Sequence, residues 1–163
     1  MKYTSISNRA TQLKDELISE IKAVTTDFPI SYNLIDKVAT FKSTRILGNC
    51  KYVRGLYQIA VNENLLSRAN DHDIKEVILH ELIHTMPNCF NHKWQFKNKV
   101  WKYQRITGYD ALNKHYPNVL DRPTKNLTYV CTKCGKEFHR VRRINTSNRV
   151  CGSCRGKIEL KET

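Results

Sequence analysis

Leu13, Leu17, Ile18, Ile21 and Val24 recur at helical spacing between Arg9 and Thr26, which predicts an amphipathic helix closed by Asp27, Phe28 and Pro29. The β-branched and aromatic stretches ISYNLIDKVATFKSTRILGNCK and LYQIAVN predict short strands around a turn-like KYVRG. A second helix is predicted to open between Asn70 and Asp73, where Asp73 and Glu76 resemble a capping box with Asp in place of Ser or Thr. Ile74, Val77, Ile78, Leu79, Leu82, Ile83 and Met86 make it apolar over most of its circumference, so it belongs inside the protein. It should stop at Thr85 or Met86, because Pro87 disfavours helical geometry in the residue before it. A third helical pattern runs from His92 to Ile106, with Phe96, Val100 and Tyr103 on one face, until TGYD breaks it. A short irregular or helical stretch to Leu120 and a turn-rich linker, DRPTKN, should follow. The expected organisation is a domain over 1–121 and a smaller module over 122–163.

Composition narrows the class. With 40% apolar and 26% charged residues, the 163-residue chain reads as a soluble globular protein. No apolar run approaches the ~20 residues of a membrane span. MKYTSISNRA lacks the apolar core of a secretory signal, so a cytoplasmic location is expected, at the nucleoid if the source is bacterial. Lys and Arg number 28 against 15 Asp and Glu, a formal charge of +13. From Arg122 onward there are 11 basic and 3 acidic residues, against 17 and 12 before it. About a quarter of the chain thus carries most of the excess, which favours a localised polyanion-binding surface over charge spread for solubility.

HELIHTMPNCFNH, residues 80–92, carries the first candidate chemistry. His80 and His84 lie one turn apart on one helix face, so both imidazoles can reach a single metal ion. Glu81 sits beside them as a candidate general base, since a metal so held acidifies water and a carboxylate can take the proton. The plainer reading is a pair of hydrogen-bonded core histidines. Burying three polar side chains on an otherwise apolar helix without an ion or a full set of partners is costly, which favours the metal. A catalytic zinc wants three protein ligands and one open position. His92 is the preferred third, beyond the turn at Pro87 and Asn88; Asp110 is the rival and His115 a weaker one. His72 and His139 read as surface or linker histidines, and Cys89 as a small packed residue.

Cys131, Cys134, Cys151 and Cys154 form two C-x-x-C pairs separated by sixteen residues, the spacing of a zinc ribbon. Gly135 and Gly152 suit the tight knuckle turns. Four thiolates fill a tetrahedral ion, so this zinc should fold the module rather than catalyse. A pair of disulfides fits a cytoplasmic chain poorly. Lys136, Arg140, Arg142, Arg143 and Arg149 lie between the pairs, interleaved with Phe138 and His139. Cations for phosphates beside aromatic faces for bases suit single-stranded nucleic acid; a solvated basic hairpin or a protein-binding ribbon is the alternative.

RILGNCK, YQIAVNENLL, EVILHELIHT and the pair His92 and Phe96 together resemble the SprT-like metalloprotease family, which includes the Spartan-type DNA–protein crosslink proteases. The C-terminal cysteine module is similar to that of bacterial SprT proteins. By this resemblance His80, His84 and His92 carry over as zinc ligands and Glu81 as the catalytic base. Lys93 departs from the pattern, since many members have Gly after the third histidine. The resemblance implies a minigluzincin-like α+β core, a small sheet against the motif helix, with a C-terminal four-cysteine zinc ribbon. It also implies one catalytic and one structural Zn2+, and cleavage of proteins on DNA. LYQIAVN is the candidate edge strand for an extended substrate. Tyr109, His115 and Tyr116 are candidates for stabilising the oxyanion. A monomer acting on proteins and DNA, without a membrane, is the expected state. A non-catalytic DNA-binding protein with a relic metal site, and a peptidase with no nucleic-acid role, are the rivals.

Overall fold

Where the chain turns back on itself decides which strand lies inside the sheet. The structure is a computed structural model and describes residues 2–112, 119–120 and 127–161. These divide into two compact units, Met1–Asp121 and Arg122–Thr163.

In the first unit, β1 (Ser5–Ile6) leads into α1 (Asn8–Val24), whose N-terminus is capped by Ser7 Oγ accepting from the Ala10 N–H at 3.1 Å. Ala10, Leu13, Leu17 and Ile21 form its buried face, and the helix ends as Thr25 turns extended. The sheet adds β2 (Ala39–Phe41), β3 (Gly48–Val53) and β4 (Leu56–Asn62), in the order β1-β2-β4-β3. β2 runs parallel to β4, and the other two pairings are antiparallel. Both sides of LYQIAVN are therefore occupied, so the expectation that it forms an exposed edge is wrong. The edges are β3 and, on the far side, the two-residue β1. KYVRG is not one turn either: Lys51, Tyr52 and Val53 continue β3, and Arg54 and Gly55 alone make the bend, at φ 52° and 82°. Two successive left-handed residues give the primed turn whose twist matches a tight hairpin.

A short helix that the apolar pattern does not reveal, α2 (Glu63–Arg68), follows at once. Asn62 caps it, accepting from the Asn64 N–H at 2.9 Å, while its amide donates to the Ser43 and Ile46 carbonyls. α3 (Asp71–Ile83) begins at the early end of the expected Asn70–Asp73 window, three residues before a cap at Asp73 would place it. The cap is Asn70, whose Oδ1 accepts from the Asp73 N–H at 2.8 Å. Regular helix ends at Ile83 and the last turn tightens through Thr85 and Met86, with i→i+3 bonds to Leu82 and Ile83. Ile74, Val77, Ile78, Leu79, Leu82 and Ile83 are all fully buried. α3 is the central helix of the core, between the sheet and the helices α1 and α4 (Trp94–Thr107). α4 buries Phe96, Val100 and Tyr103 and stops at Gly108, whose φ of 77° is open to glycine at little cost.

The second unit is a three-stranded antiparallel sheet, β5 (Leu127–Cys131), β6 (Glu137–Arg140) and β7 (Ile158–Leu160), ordered β6-β5-β7. Tyr129, Cys131, Cys151 and Ile158 are its buried residues. With so few apolar side chains, a module of this size needs a staple besides its core. The linker assigned to DRPTKN and most of the stretch before Leu120 lie outside the described residues. No helix among the described residues is long and apolar enough to cross a membrane.

Candidate metal centres

The last turn of α3 aims His80 and His84 at one point, and the chain then delivers His92 to it. Met86-Pro87-Asn88-Cys89 is the delivering turn: the Cys89 N–H donates to the Met86 carbonyl at 3.2 Å, with Pro87 next and Asn88 at φ 61°. Proline first and a left-handed Asn second is the sequence chemistry of a type II turn. That turn presents the Cys89 carbonyl to His84, whose Nδ1 lies 2.8 Å away. On the other side the Ala111 carbonyl lies 2.8 Å from His80 Nδ1. A carbonyl can only accept, so each Nδ1 carries the proton and each Nε2 keeps its lone pair for the centre. The Nε2 atoms of His80 and His92 stand 2.9 Å apart, and ligand atoms of all three histidines lie within 4.8 Å of one another. Three neutral imidazole donors converging on one point, with carbonyl partners behind two of them, fit a zinc ion and have no comparable use as core hydrogen bonds.

Phe96 floors the cluster. Fully buried, it stacks on His84 at 4.5 Å between ring centroids and meets His80 and His92 edge-on at 4.8 and 4.9 Å. Glu81 is 4% exposed and reaches past the helix toward β3. A Cβ on Gly48 would come within 2.4 Å of Glu81 Oε1 and 2.8 Å of Val77 Cγ1, so only glycine leaves the carboxylate its place. Glu81's charge is felt nearby. Burial first and then Glu81 push the Cys50 thiol up to about 12. Tyr3 also rises to about 12, through burial, Cys50 and Glu81. Both the thiol and the phenol therefore stay neutral.

A second-layer relay holds His80 in place. Glu76, 8% exposed on α3, accepts from the Asp110 N–H at 2.7 Å, and the next residue is Ala111, whose carbonyl faces His80. Buried Lys75 ties the same helix to Glu20 and Glu16 of α1 at 2.7 and 3.0 Å, and those carboxylates outweigh desolvation to raise its pKa.

The rival ligand Asp110 does not join the histidines: its Oδ1 accepts from the Leu112 N–H at 3.0 Å, and its own N–H is held by Glu76. Tyr109, a candidate for the oxyanion, has its hydroxyl donated to Glu20 at 3.0 Å. His115 and Tyr116 lie outside the described residues. His72 pairs with Glu76 at 3.3 Å and His139 with Thr128 at 3.1 Å, both at the surface. Gly48, Phe96 and the two carbonyls are what residue types alone do not disclose; the hint for Phe96 is its four-residue spacing from His92.

In the second unit the four cysteines also gather within 4.8 Å, with Cys131 and Cys154 sulfurs 3.4 Å apart and Cys134 and Cys151 3.7 Å apart. Each knuckle closes the same way: the Gly135 N–H donates to the Cys131 carbonyl at 2.9 Å, and the Arg155 N–H to the Cys151 carbonyl at 2.8 Å. Gly135 is left-handed at φ 70°, as a knuckle requires. Gly152 has no such role. In the second knuckle Arg155 takes the left-handed position at φ 56°, and the glycine that matters is Gly156, where a Cβ would lie 2.8 Å from Cys131 Sγ. Backbone N–H groups of Ser153 and Cys154 bring the Cys151 thiol down to about 6. The Gly156 N–H favours the Cys154 thiolate too, but the adjoining sulfurs and burial push it up to about 12. Thiolates this close cannot all ionise without a cation among them, which is the chemistry of a four-sulfur zinc site.

Lys136, Arg140, Arg142, Arg143 and Arg149 are all exposed. Arg140 and Arg149 line one cleft with Phe138 and Ile144, while Arg143 lines another beside Tyr129. Lys136 instead donates to Ser153 at 3.0 Å, 6.0 Å from the Phe138 ring, and Arg142 borders neither cleft.

A buried H-E-x-x-H helix on a small mixed sheet, with a third histidine from the segment just before the next helix, defines an α+β protein of the zincin type; the four-cysteine unit adds a zinc ribbon. Residues 22–118 match the model of the SprT-like family, and residues 126–162 match that of the SprT-like zinc ribbon domain. The chain belongs to the SprT-like family. It is 31% identical to Protein SprT-like of Staphylococcus saprophyticus over 67% of this chain and 71% of that one. Against Protein SprT-like of Staphylococcus carnosus it is 27% identical over 95% and 97%, and against that of Lactococcus lactis 35% identical over 55% and 58%.

Proposed function

We propose that the chain is a zinc-dependent endopeptidase acting on proteins bound or crosslinked to DNA. The observation that carries this reading is the convergence of His80, His84 and His92 beside a 4% exposed Glu81. His80, His84 and His92 would hold a zinc ion, which would supply the Lewis acidity that polarises a peptide carbonyl and acidifies water. Glu81 accepts the proton that the attacking water loses and returns it to the leaving amine nitrogen. Gly48 keeps that carboxylate in reach, and the Ala111 and Cys89 carbonyls hold the imidazoles in the ligating tautomer. The free edge of β3 offers main-chain groups to an extended substrate, as β-strand addition requires. The ribbon's Arg140 and Arg149, with Phe138 between strand and cleft, bind nucleic acid, and Lys136, Arg142 and Arg143 add phosphate attraction.

The test replaces Glu81 with Gln. Cleavage of a DNA-bound protein should fall by about 10²–10⁴-fold, the worth of a general base, with zinc content and DNA affinity unchanged. Proteolysis equal to that of the parent chain sinks the mechanism. Cleavage that single-stranded DNA does not stimulate, and that survives deletion of 122–163, sinks the nucleic-acid part alone.

A further inference from the structure

α4 is sided in an unusual way. Its inner face is Phe96, Val100 and Tyr103, all fully buried. Its outer face carries Trp94, 64% exposed, and Trp101, 43% exposed, seven residues apart and therefore two turns along one side. Their rings meet edge-on at 5.8 Å between centroids. Exposed Lys97 and Arg105 stand on the same side, and exposed Lys93 precedes the first tryptophan. None of these three cations makes an ion pair among the described residues. From Pro87 to Thr107 the sequence has five Lys or Arg and no acidic residue. A solvated helix face normally mixes both signs and hides tryptophan; this one does neither.

Resting on the nucleic-acid part of the proposed function, we propose that this face of α4 is a second binding surface, for single-stranded DNA, built into the peptidase unit itself. Indole faces stack on unpaired bases, and the cations set one and two turns along the helix match the few-ångström repeat of a phosphate backbone. A duplex hides its bases and leaves exposed tryptophans without a partner. A peptide has no regular row of negative charge to complement three cations and no anion. The surface begins two residues after His92, so a strand held there runs past the mouth of the histidine cluster. A protein attached to that strand is then delivered to the site by this unit and not only by the ribbon.

The protein supplies its own probe. Trp94 and Trp101 are the only tryptophans of the chain, so tryptophan emission reports on this face alone. The full zinc-loaded protein is titrated with unlabelled oligothymidylate while emission is followed, and in parallel with a fluorescently tagged oligothymidylate read by anisotropy. The expected result is binding in both channels, with emission quenched by about half or more, as base stacking produces. Lys97→Glu with Arg105→Glu should weaken affinity about tenfold and flatten the salt dependence by about 1.4 in log–log slope, two phosphate contacts' worth. Anisotropy that rises while emission stays constant overturns the α4 surface and leaves ribbon binding intact. Anisotropy that stays flat overturns this surface and the nucleic-acid reading together. Tighter binding to duplex or to oligouridylate, or quenching by an unfolded protein but not by DNA, likewise overturns it in favour of that occupant.

Discussion

The histidine cluster of the first unit and the cysteine cluster of the second hold their donor atoms equally close, within 4.8 Å, and surround them with opposite chemistry. Three histidines leave a tetrahedral ion one open position; four cysteines leave none. Two of the histidines stand at the end of a helix packed into a large core, backed by carbonyls, with a buried carboxylate at their side. The cysteines stand on knuckles at the end of a small sheet, backed by N–H groups, with no carboxylate in the cluster. N–H groups favour the thiolate and so favour the ion. Carbonyls fix which imidazole nitrogen is free, which orients the ligands. One surrounding favours metal retention, and the other leaves a tetrahedral ion an open position beside a buried carboxylate.

The largest expected effect separates the two. Removing zinc with a strong chelator, or making Cys151→Ser, should unfold the second unit, because thiolate-bound zinc contributes on the order of 10 kcal/mol to such modules. The first unit should keep its fold, since its core is many times larger. Amide spectra that collapse only for 127–161 would show it; a global collapse would break the contrast.

Next come the two glycines that touch the clusters. Gly48→Ala should displace Glu81 and lower cleavage by roughly a hundredfold, at a cost of about 1–3 kcal/mol of overpacking. Zinc content of the first unit should not change. Gly156→Ala crowds Cys131 Sγ instead and should lower the ribbon's zinc affinity about tenfold, measured by chelator competition. If Gly48→Ala loses metal, or Gly156→Ala does not, the assigned division of roles is wrong.

These pairs also show what could be read in advance. α1, α3, α4 and the ribbon are written in apolar spacing and cysteine spacing, and the structure places them within a few residues of the expectation. The histidines that meet were legible because their side chains are the donors. The start of α3 fell inside the expected window, but the Asp73–Glu76 capping box did not form, because Asn70 and Asp73 both suit an N-terminus and only the chain path chooses. Strand order was misread because LYQIAVN, paired on both sides, has the same composition as an edge would. The acceptors at Ala111 and Cys89 are main-chain groups, which every residue possesses. Gly48 has no side chain to advertise its role, which is to leave space for a carboxylate from another element.

The smallest effect concerns acid. Lys102 holds the Asp27 carboxyl below its usual range in the first unit, and Lys161 does the same for Glu137 in the second. A depressed folded pKa gives stability that is complete above the unfolded value, about 4, and is lost as pH falls through the folded one. Both units should therefore weaken slightly below pH about 4. Lys102→Met should flatten that decline only in the first unit and Lys161→Met only in the second, as read by urea midpoints across pH. Both partners are surface groups, so the change is small.

The β3 strand closes the matter in mechanical terms. Its first residue, Gly48, leaves room for Glu81, and its outer side is an edge of the sheet, so one covalent segment serves as both wall and rail. Sliding that strand by one residue would exchange the faces of its side chains and drive Asn49 toward the carboxylate. The two-residue bend at Arg54 and Gly55 holds β3 in register with β4 and so anchors the rail from its far end. Any force that shifts the rim is thereby transmitted to the Glu81 carboxylate.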